Sequence, residues 1–167
     1  MKVQDVMTRG VEACHRGTDL AAAAMIMWRM DCGAVPVVGD DGREVVGMIT
    51  DRDICIAVAT RHRRAEEIAV GEVISGQLFK LRPGDDIRAA LEAMRAERVR
   101  RLPVVNAAGA LQGIISISDI VRAAGKPDGR VRPDVTAEDV LEVMKAICEQ
   151  DGGLEVARRK ERISAHA

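Results

Sequence analysis

The chain has 167 residues, a net charge of −1 and 47% hydrophobic residues, which is enough for one compact domain or for two small halves that share a core. A charge close to zero, with one Phe, one Trp and no Tyr, argues against nucleic-acid binding, because the chain has neither a basic excess nor a set of rings for base stacking. No segment has the apolar length of a signal peptide or a membrane span, so we expect a cytoplasmic protein without a membrane partner.

The first half of the chain predicts the order strand, helix, strand, strand, helix. A short extended segment at Val11–Cys14 precedes a helix that is capped by Thr18 or Asp19. The apolar positions of this helix recur at i, i+3, i+4 and i+7 and are Leu20, Ala23, Ala24 and Met27. Two β-branched runs on either side of a turn predict a hairpin of Ala34–Val38 and Val45–Ile49. A second helix begins near Asp51, and its expected inward residues are Ile54, Cys55 and Val58.

The second half repeats this pattern. Pro36 and Pro103 are 67 positions apart and Asp53 and Asp119 are 66 apart, so one single-residue gap aligns the halves. The predicted helix of the second half carries the same apolar spacing at Ile87, Ala90, Leu91 and Met94. Its second helix begins near Ile117, and the residues expected to face inward are Ile120, Val121 and Ala124. The sequence therefore predicts an α/β fold of two β-α-β-β-α repeats, each of which covers apolar surface of the other.

Composition sets the boundaries of these units. The predicted segments are repeat 1 at 1–59, a linker at 60–67, repeat 2 at 68–124, a loop at 125–135, a C-terminal amphipathic helix at 136–150 and a basic tail at 151–167. The apolar stripe of the C-terminal helix must cover either its own repeat or a second chain. The sequence does not separate these alternatives, and we favour the second chain.

Each repeat places a hydroxyl residue and a carboxylate where the hairpin passes into the second helix. The segments are Gly47–Asp53, with Thr50 before Asp53, and Gly113–Asp119, with Ser116 before Asp119. A hydroxyl at a helix start, beside free N–H groups, can bind a phosphate, and a carboxylate three residues later can accept hydrogen bonds from a ribose diol. The alternative is an ordinary capping box, which is common at helix starts. Its recurrence at the same point of a repeat favours a ligand site.

The AVPVV and RLPVV segments, each followed by G-h-h-[TS]-x-x-D-I, resemble the cystathionine-β-synthase (CBS) domain over about Val3 to Ala124. The resemblance implies a tandem pair with pseudo-two-fold symmetry, also called a Bateman module, as in small stand-alone bacterial CBS proteins. Members of this family commonly bind AMP, ADP, ATP or S-adenosylmethionine in two clefts between the repeats.

The resemblance also implies roles for particular residues. Asp53 and Asp119 would hold ribose hydroxyls, and Thr50 and Ser116 would hold phosphates. Further phosphate contacts would come from Arg52, Ser118, Arg100 and Arg101, the last two by likeness to the gamma subunits of AMP-activated protein kinase. The base would lie near Ala34, Pro36, Leu102 and Pro103.

Repeat 2 carries Arg100-Arg101 where repeat 1 carries Gly33-Ala34, so the charge near the two clefts is expected to be unequal. Arginine suits phosphate because its guanidinium can donate two hydrogen bonds. The alternative is that both arginines form a solvated helix end, where a cation interacts favourably with the helix dipole.

Two hypotheses for function follow. In the first, occupancy of the clefts by an adenosine ligand regulates an unidentified effector protein, and the chain forms a homodimer. In the second, the chain is a ligand-free dimerisation scaffold. An enzyme is not predicted, because His15, His62 and His166 lie near no candidate nucleophile. The four scattered cysteines do not have metal-ligand spacing, so neither a metal nor a required cofactor is expected.

Overall fold

The computed structural model of the chain describes residues 1–74, 78–124 and 135–149. The elements of the first half are α1 (Val3–Val6), β1 (Cys14–His15), α2 (Leu20–Arg29), β2 (Ala34–Val38), β3 (Val45–Thr50) and α3 (Asp51–Arg61). Two 3-10 turns follow, at Ala65–Glu67 and Val70–Glu72. The elements of the second half are α4 (Ile87–Glu97), β4 (Arg101–Val105), β5 (Leu111–Ser116), α5 (Ile117–Ala123) and α6 (Ala137–Cys148). The α/β fold of two repeats with a C-terminal helix is confirmed, while residues 125–134 of the predicted loop and the predicted tail at 151–167 lie outside the described residues.

Each repeat is built on an antiparallel hairpin with the same register. Ala34 of β2 pairs with Thr50 of β3, and Arg101 of β4 pairs with Ser116 of β5. The first strand of repeat 1, Cys14–His15, is shorter than the extended segment expected at Val11–Cys14. β1 pairs with β2 in parallel over two residues, and Leu81 makes a single parallel bridge to Val104. Both short segments pair with a hairpin strand on one side, so the hairpins form most of each sheet.

The predicted helix stripes form the cores of the repeats. All four stripe residues of α4 are buried, as are Leu20, Ala23 and Met27 of α2, while Ala24 is half-buried. The expectation that Cys55 and Val121 face inward is wrong, since both are exposed. Consecutive residues are about 100° apart around a helix, so Cys55 and Val121 turn away from the core, while the preceding Ile54 and Ile120 pack against it as expected.

The core of each repeat is completed by the first residues of the other repeat. Val3 and Met7, from the N-terminus, belong to the apolar cluster of repeat 2, whereas Ile68 and Val70, after α3, belong to that of repeat 1. The backbone contacts match: Lys2 bridges Asp86, and Asp19 bridges Ala69. The two repeats are thus joined by a reciprocal exchange of short segments, and a small apolar cluster of Val38, Val45 and Val105 packs where the hairpins meet.

The exchanged segments explain the glycine that starts each G-h-h-[TS]-x-x-D-I motif. A Cβ on Gly113 would collide with the carbonyl oxygen of Thr8, which crosses β5 and pairs with Ile114. In repeat 1, a Cβ on Gly47 would lie 2.8 Å from Cδ1 of Ile74. Gly113 is therefore required by the close crossing of the backbone, whereas at Gly47 the neighbour is the end of a flexible side chain that can shift; neither glycine has an unusual φ.

The C-terminal helix α6 packs on its own repeat. Its residues Val140 and Val143 are buried in the apolar cluster of repeat 2, against α4 and α5. Asp139 also lies 3.7 Å from Arg88 of α4. The favoured interpretation of the sequence, that the stripe of this helix contacts a second chain, is therefore wrong. Periodicity identified the apolar stripe, but it does not carry information about which surface the stripe covers.

Candidate functional site

Thr50 and Asp53 form a reciprocal capping box at the start of α3. The Thr50 hydroxyl accepts from the Asp53 backbone N–H at 3.1 Å. In return, Oδ2 of Asp53 accepts from the Thr50 backbone N–H at 3.1 Å and from the Thr50 hydroxyl at 2.6 Å. These bonds fix the carboxylate over the first turn of the helix. None of them uses Oδ1, which makes no hydrogen bond to a described residue and can accept one from a ligand.

Ser116 and Asp119 form the same box at the start of α5. The hydroxyl accepts from the Asp119 backbone N–H at 3.2 Å, and Oδ2 of Asp119 accepts from the Ser116 N–H at 2.8 Å and from its hydroxyl at 2.6 Å. Here Oδ1 also has partners, the Thr8 hydroxyl at 3.4 Å and the guanidinium of Arg122. Asp119 is the one charged residue that is buried among those described, and its partners satisfy both oxygens.

The two boxes differ because of one residue. Arg122 lies three positions after Asp119, on the next helical turn, and its equivalent in repeat 1 is Ile56, three positions after Asp53. Ile56 is 38% exposed and cannot pair with a carboxylate. Asp53 therefore keeps one oxygen without a hydrogen-bond partner among the described residues, whereas Asp119 is paired with an arginine of its own helix.

A third box shows that this geometry alone does not define a ligand site. Thr136 and Asp139 cap α6 through the same three bonds, at 2.8, 2.9 and 3.2 Å. The N–H and hydroxyl bonds from Thr136 hold the pKa of Asp139 below its usual value. This box is not part of a repeat and does not lie at the end of a hairpin. The Thr136–Asp139 box can therefore serve as a control for the two boxes of the repeats.

The remaining predicted contact residues take several positions. Arg52 and Ser118 are exposed on the first turns of α3 and α5, within one or two residues of the caps. The residues expected near the base are buried in β2 and β4 and are Ala34, Pro36, Leu102 and Pro103. Ala34 lies directly across the hairpin from Thr50, so the predicted base and phosphate positions are adjacent in repeat 1.

Arg100 and Arg101 do not act as a pair. Arg100 is exposed, and its carbonyl oxygen accepts from the Ile117 N–H at 2.9 Å. Arg101 is half-buried and reaches repeat 1, where its Nη1 lies 3.3 Å from the position that a Cβ on Gly33 would take. The same position is 2.9 Å from Oδ2 of Asp51. The charge of Arg101 is thus found beside the start of α3, although the repeat comparison expected it near the second cleft.

Sequence reasoning missed two residues of the second box, Thr8 and Arg122. Arg122 could have been found from its i, i+3 spacing to Asp119 on a predicted helix. Thr8 could not, because it lies 111 positions away and reaches Asp119 through the exchanged N-terminal segment.

Two open grooves of the described part of the chain are lined by none of Thr50, Asp53, Ser116 and Asp119. One lies between α2 and α3 and the other between α4 and α6. Residues 1–74, 78–124 and 135–149 also include no group of three His, Cys, Asp or Glu side chains that could hold a metal ion, and no helix long and apolar enough to cross a membrane. Burial raises the pKa of the Cys14 thiol to about 11, so this thiol stays protonated near neutral pH.

Comparison with known proteins identifies the repeated unit. The family model of the CBS domain matches residues 3–60 and again residues 70–126. Hypoxic response protein 1 of Mycobacterium tuberculosis is 31% identical over 145 residues, which are 87% of this chain and 92% of that protein. A crystal structure of Hypoxic Response Protein I with two coordinated zinc ions is similar with a TM-score of 0.66 and 34% identity, over 73% of this chain and 98% of that one.

Two further structures hold adenosine ligands. The CBS domain pair of MJ0100, in complex with 5′-methylthioadenosine and S-adenosyl-L-methionine, has a TM-score of 0.66 and 22% identity, over 73% of this chain and 94% of that one. CBSX2 in complex with AMP has a TM-score of 0.62 and 24% identity, again over 73% and 94%. At identities of 22% and 24%, these two similarities show a common fold and nothing further.

Proposed function

The chain belongs to the CBS-domain family, as a tandem pair of CBS domains, and from this premise we propose that it is a regulatory module that senses an adenosine-containing ligand. The candidate ligands are AMP, ADP, ATP and S-adenosylmethionine. Structural neighbours of the same fold bind AMP or S-adenosylmethionine, which supports this ligand class. The chain itself carries out no catalysis in this proposal.

The observation that carries the proposal is the open carboxylate of Asp53 beside the start of α3. Oδ1 of Asp53 would accept a ribose hydroxyl, while a phosphate or carboxylate would lie beside Thr50 and replace Asp53 as the acceptor of the Thr50 hydroxyl. Arg52 and Arg101 would add positive charge on this side. Cleft 1, defined by Thr50 and Asp53, is therefore the primary site, and cleft 2, defined by Ser116 and Asp119, binds more weakly because Arg122 holds its carboxylate.

We further propose that the module acts as a homodimer on an effector protein of unknown identity. Its compartment would be the cytoplasm, because all four cysteines are free thiols, which is usual where glutathione keeps thiols reduced. A ligand would regulate the effector only if it bound one arrangement of the repeats or protomers more tightly than another.

The second candidate function, a dimer scaffold with empty clefts, is favoured by a different observation. The residues expected near the base are buried, and the two grooves described above lie on helical faces. A scaffold needs such exposed faces and does not need an accessible carboxylate.

Calorimetry separates the two functions. The full chain, purified and verified as ligand-free, is titrated with each of the four ligands, together with Asp53→Ala and the control Asp139→Ala. We expect micromolar binding of at least one ligand, weakened at least tenfold in Asp53→Ala and unchanged in Asp139→Ala. The absence of heat and of thermal stabilisation with all four ligands would reject the sensor and leave the scaffold. If ligand binding were weakened equally in both variants, the loss of a helix cap would explain the effect, and Asp53 would not be a ligand contact.

A further inference from the structure

Two exposed cysteines line the same groove of repeat 1. Cys32 lies in the segment between α2 and β2, and Cys55 lies in α3. Both line the groove between α2 and α3, together with the exposed Trp28. The other two thiols of the chain lie elsewhere, since Cys14 is buried in β1 and Cys148 is the last residue of α6. Two accessible thiols in one groove form a candidate modification site that the proposed function does not use.

The backbone holds the segments that carry these two thiols side by side. The Asp51 N–H, at the start of α3, donates to the carbonyl oxygen of Gly33 at 3.3 Å and so continues the antiparallel β2–β3 pairing by one residue pair. Cys32 is the residue before Gly33. Cys55 lies four residues after Asp51, one helical turn or roughly 5.4 Å along the same face of α3.

This spacing suits a disulfide. Cα atoms of antiparallel residue pairs are roughly 4.5–5.5 Å apart, and a disulfide joins cysteines whose Cα atoms are roughly 4.4–6.8 Å apart. Cys55 is fixed within α3, whereas Cys32 belongs to a short segment outside the helices and strands. A shift of that segment alone would therefore be enough to bring the two sulfur atoms together.

The equivalent positions of repeat 2 are both valine. Cys32 aligns with Val99 by the same offset as the two prolines, and Cys55 aligns with Val121 by the same offset as the two aspartates. Val99 packs against the core of repeat 2, and Val121 is 52% exposed. A plain apolar side chain is therefore sufficient at both positions of this fold. Because repeat 1 carries a thiol at both, the paired difference indicates a role for sulfur chemistry rather than for packing.

We propose that Cys32 and Cys55 are a reversible redox site, which a peroxide converts into a disulfide within one chain. One thiolate attacks an oxygen of hydrogen peroxide, the O–O bond breaks, and a sulfenic acid forms while hydroxide leaves and takes up a proton as water. The second thiolate then attacks the sulfenic sulfur, the S–O bond breaks, and hydroxide again leaves as water. In total the two thiols lose two protons and two electrons, and one peroxide becomes two molecules of water.

A disulfide of this kind agrees with the free thiols of the chain. Where glutathione keeps thiols reduced, disulfides are usually transient and serve catalysis or redox sensing. Thiol–disulfide exchange with a dithiol returns the pair to the reduced form. The disulfide would be attached to α3 two residues after Asp53, so it would restrain the helix turns that carry cleft 1. That consequence rests on the proposed function, whereas formation of the disulfide does not.

Peroxide treatment of the full chain without ligand tests the proposal. The reduced chain is treated with an equimolar amount of hydrogen peroxide, free thiols are blocked with N-ethylmaleimide after denaturation, and the digested peptides are analysed by mass spectrometry. We expect a cross-linked peptide pair that contains Cys32 and Cys55 and is two hydrogen atoms lighter than the sum of its parts. Cys14 and Cys148 should be recovered as blocked thiols, and dithiothreitol should abolish the cross-link.

Single-thiol variants separate a reactive pair from two independent thiols. In Cys32→Ser or Cys55→Ser, we expect the remaining thiol to form a sulfenic acid, which dimedone traps, and in excess peroxide a sulfinic acid that dithiothreitol does not reduce. Cys148→Ser is the control and should form the disulfide as the wild type does. Because both thiols of the pair are exposed, folding should be retained; circular dichroism checks this. Cys32→Val, with the residue of repeat 2, provides a second variant.

Sulfinic acid at Cys32 and Cys55 of the wild-type chain, without a cross-linked peptide, would overturn the proposal. Disulfides that join two chains, seen as a dimer on non-reducing electrophoresis, would do the same. So would a wild-type chain in which Cys148 is oxidised while Cys32 and Cys55 stay reduced. Because these measurements contain no adenosine ligand, they can fail while the sensor proposal holds, and the reverse is also true.

Discussion

Asp53 and Asp119 occupy equivalent positions in the two repeats, but their carboxylates are in different electrostatic surroundings. Oδ1 of Asp119 is held by Arg122 and Thr8, and the residue is 6% exposed. Asp53 has Ile56 where Asp119 has Arg122. A ribose diol that approached Asp119 would have to displace a charge-assisted hydrogen bond, whereas one that approached Asp53 would not.

A reciprocal exchange of Ile56 and Arg122 tests this difference. We predict that Ile56→Arg weakens binding at cleft 1 by roughly tenfold or more, because an arginine at i+3 would pair with Asp53, and tenfold corresponds to about 1.4 kcal/mol. We predict that Arg122→Ile strengthens binding at cleft 2, so that calorimetry detects a second site. Ile56→Gln is the uncharged control and should bind as the wild type does. Loss of all binding in Arg122→Ile would contradict the prediction and make Arg122 a ligand contact.

The inner faces of helices α2 and α4 are alike, but their outer faces differ. Both carry buried apolar residues at corresponding positions, but the outer face of α4 is charged and packs beside α6, whereas that of α2 is apolar and open. The C-terminal helix thus contributes directly to the core of repeat 2.

Val143 tests the contribution of α6 to that core. Val143 is 3% exposed and Leu141, on the same helix, is 53% exposed. We predict that Val143→Ala lowers the free energy of unfolding by about 2 kcal/mol, because it removes buried methyl groups and leaves a cavity. Leu141→Ala should change it by less than about 0.5 kcal/mol. Urea denaturation measures both, and equal effects would show that α6 does not pack as described.

The helices and strands could be predicted from the sequence, but the surfaces against which they pack could be predicted less well. The apolar spacing of Ile87 to Met94 specified both the helix and its buried face, because periodicity of 3.6 residues is a local property. The Thr50 and Asp53 box was likewise visible, because its residues are three positions apart. The position of α6 against Arg88, the contact of Thr8 with Asp119 and the reach of Arg101 to Gly33 all depend on tertiary packing between distant segments, which local patterns do not encode.

In the whole molecule, the reciprocal exchange of segments makes each repeat depend on the other. Val3 and Met7 belong to the start of repeat 1 but are buried in the core of repeat 2, and Ile68 and Val70, at the start of repeat 2, complete the core of repeat 1. The backbone bonds from Val3 N–H to Asp85 and from Ile87 N–H to Met1, at 3.0 and 3.1 Å, fix the N-terminus there. The repeats should therefore unfold as one cooperative unit.

Val3→Ala tests this dependence. Val3 is fully buried, so we predict a loss of about 2 kcal/mol in the free energy of unfolding, while Gln4→Ala at the exposed neighbouring position leaves it nearly unchanged. Native-state hydrogen exchange should lose protection in α4 and β5 of repeat 2, although Val3 belongs to repeat 1 in sequence. Loss of protection confined to α2 and β2 would contradict the exchanged arrangement.

The proposed function is tested most directly by a crystal structure of the full chain with a bound ligand. The ligand is whichever of AMP, ADP, ATP and S-adenosylmethionine binds most tightly. We predict a ribose hydroxyl about 2.5–3.0 Å from the Asp53 carboxylate, with the charged end of the ligand over the start of α3 beside Thr50. A ligand bound elsewhere, for example in the groove between α2 and α3, with Asp53 contacting Thr50 alone, would contradict the assignment of Asp53 as the residue that binds ribose.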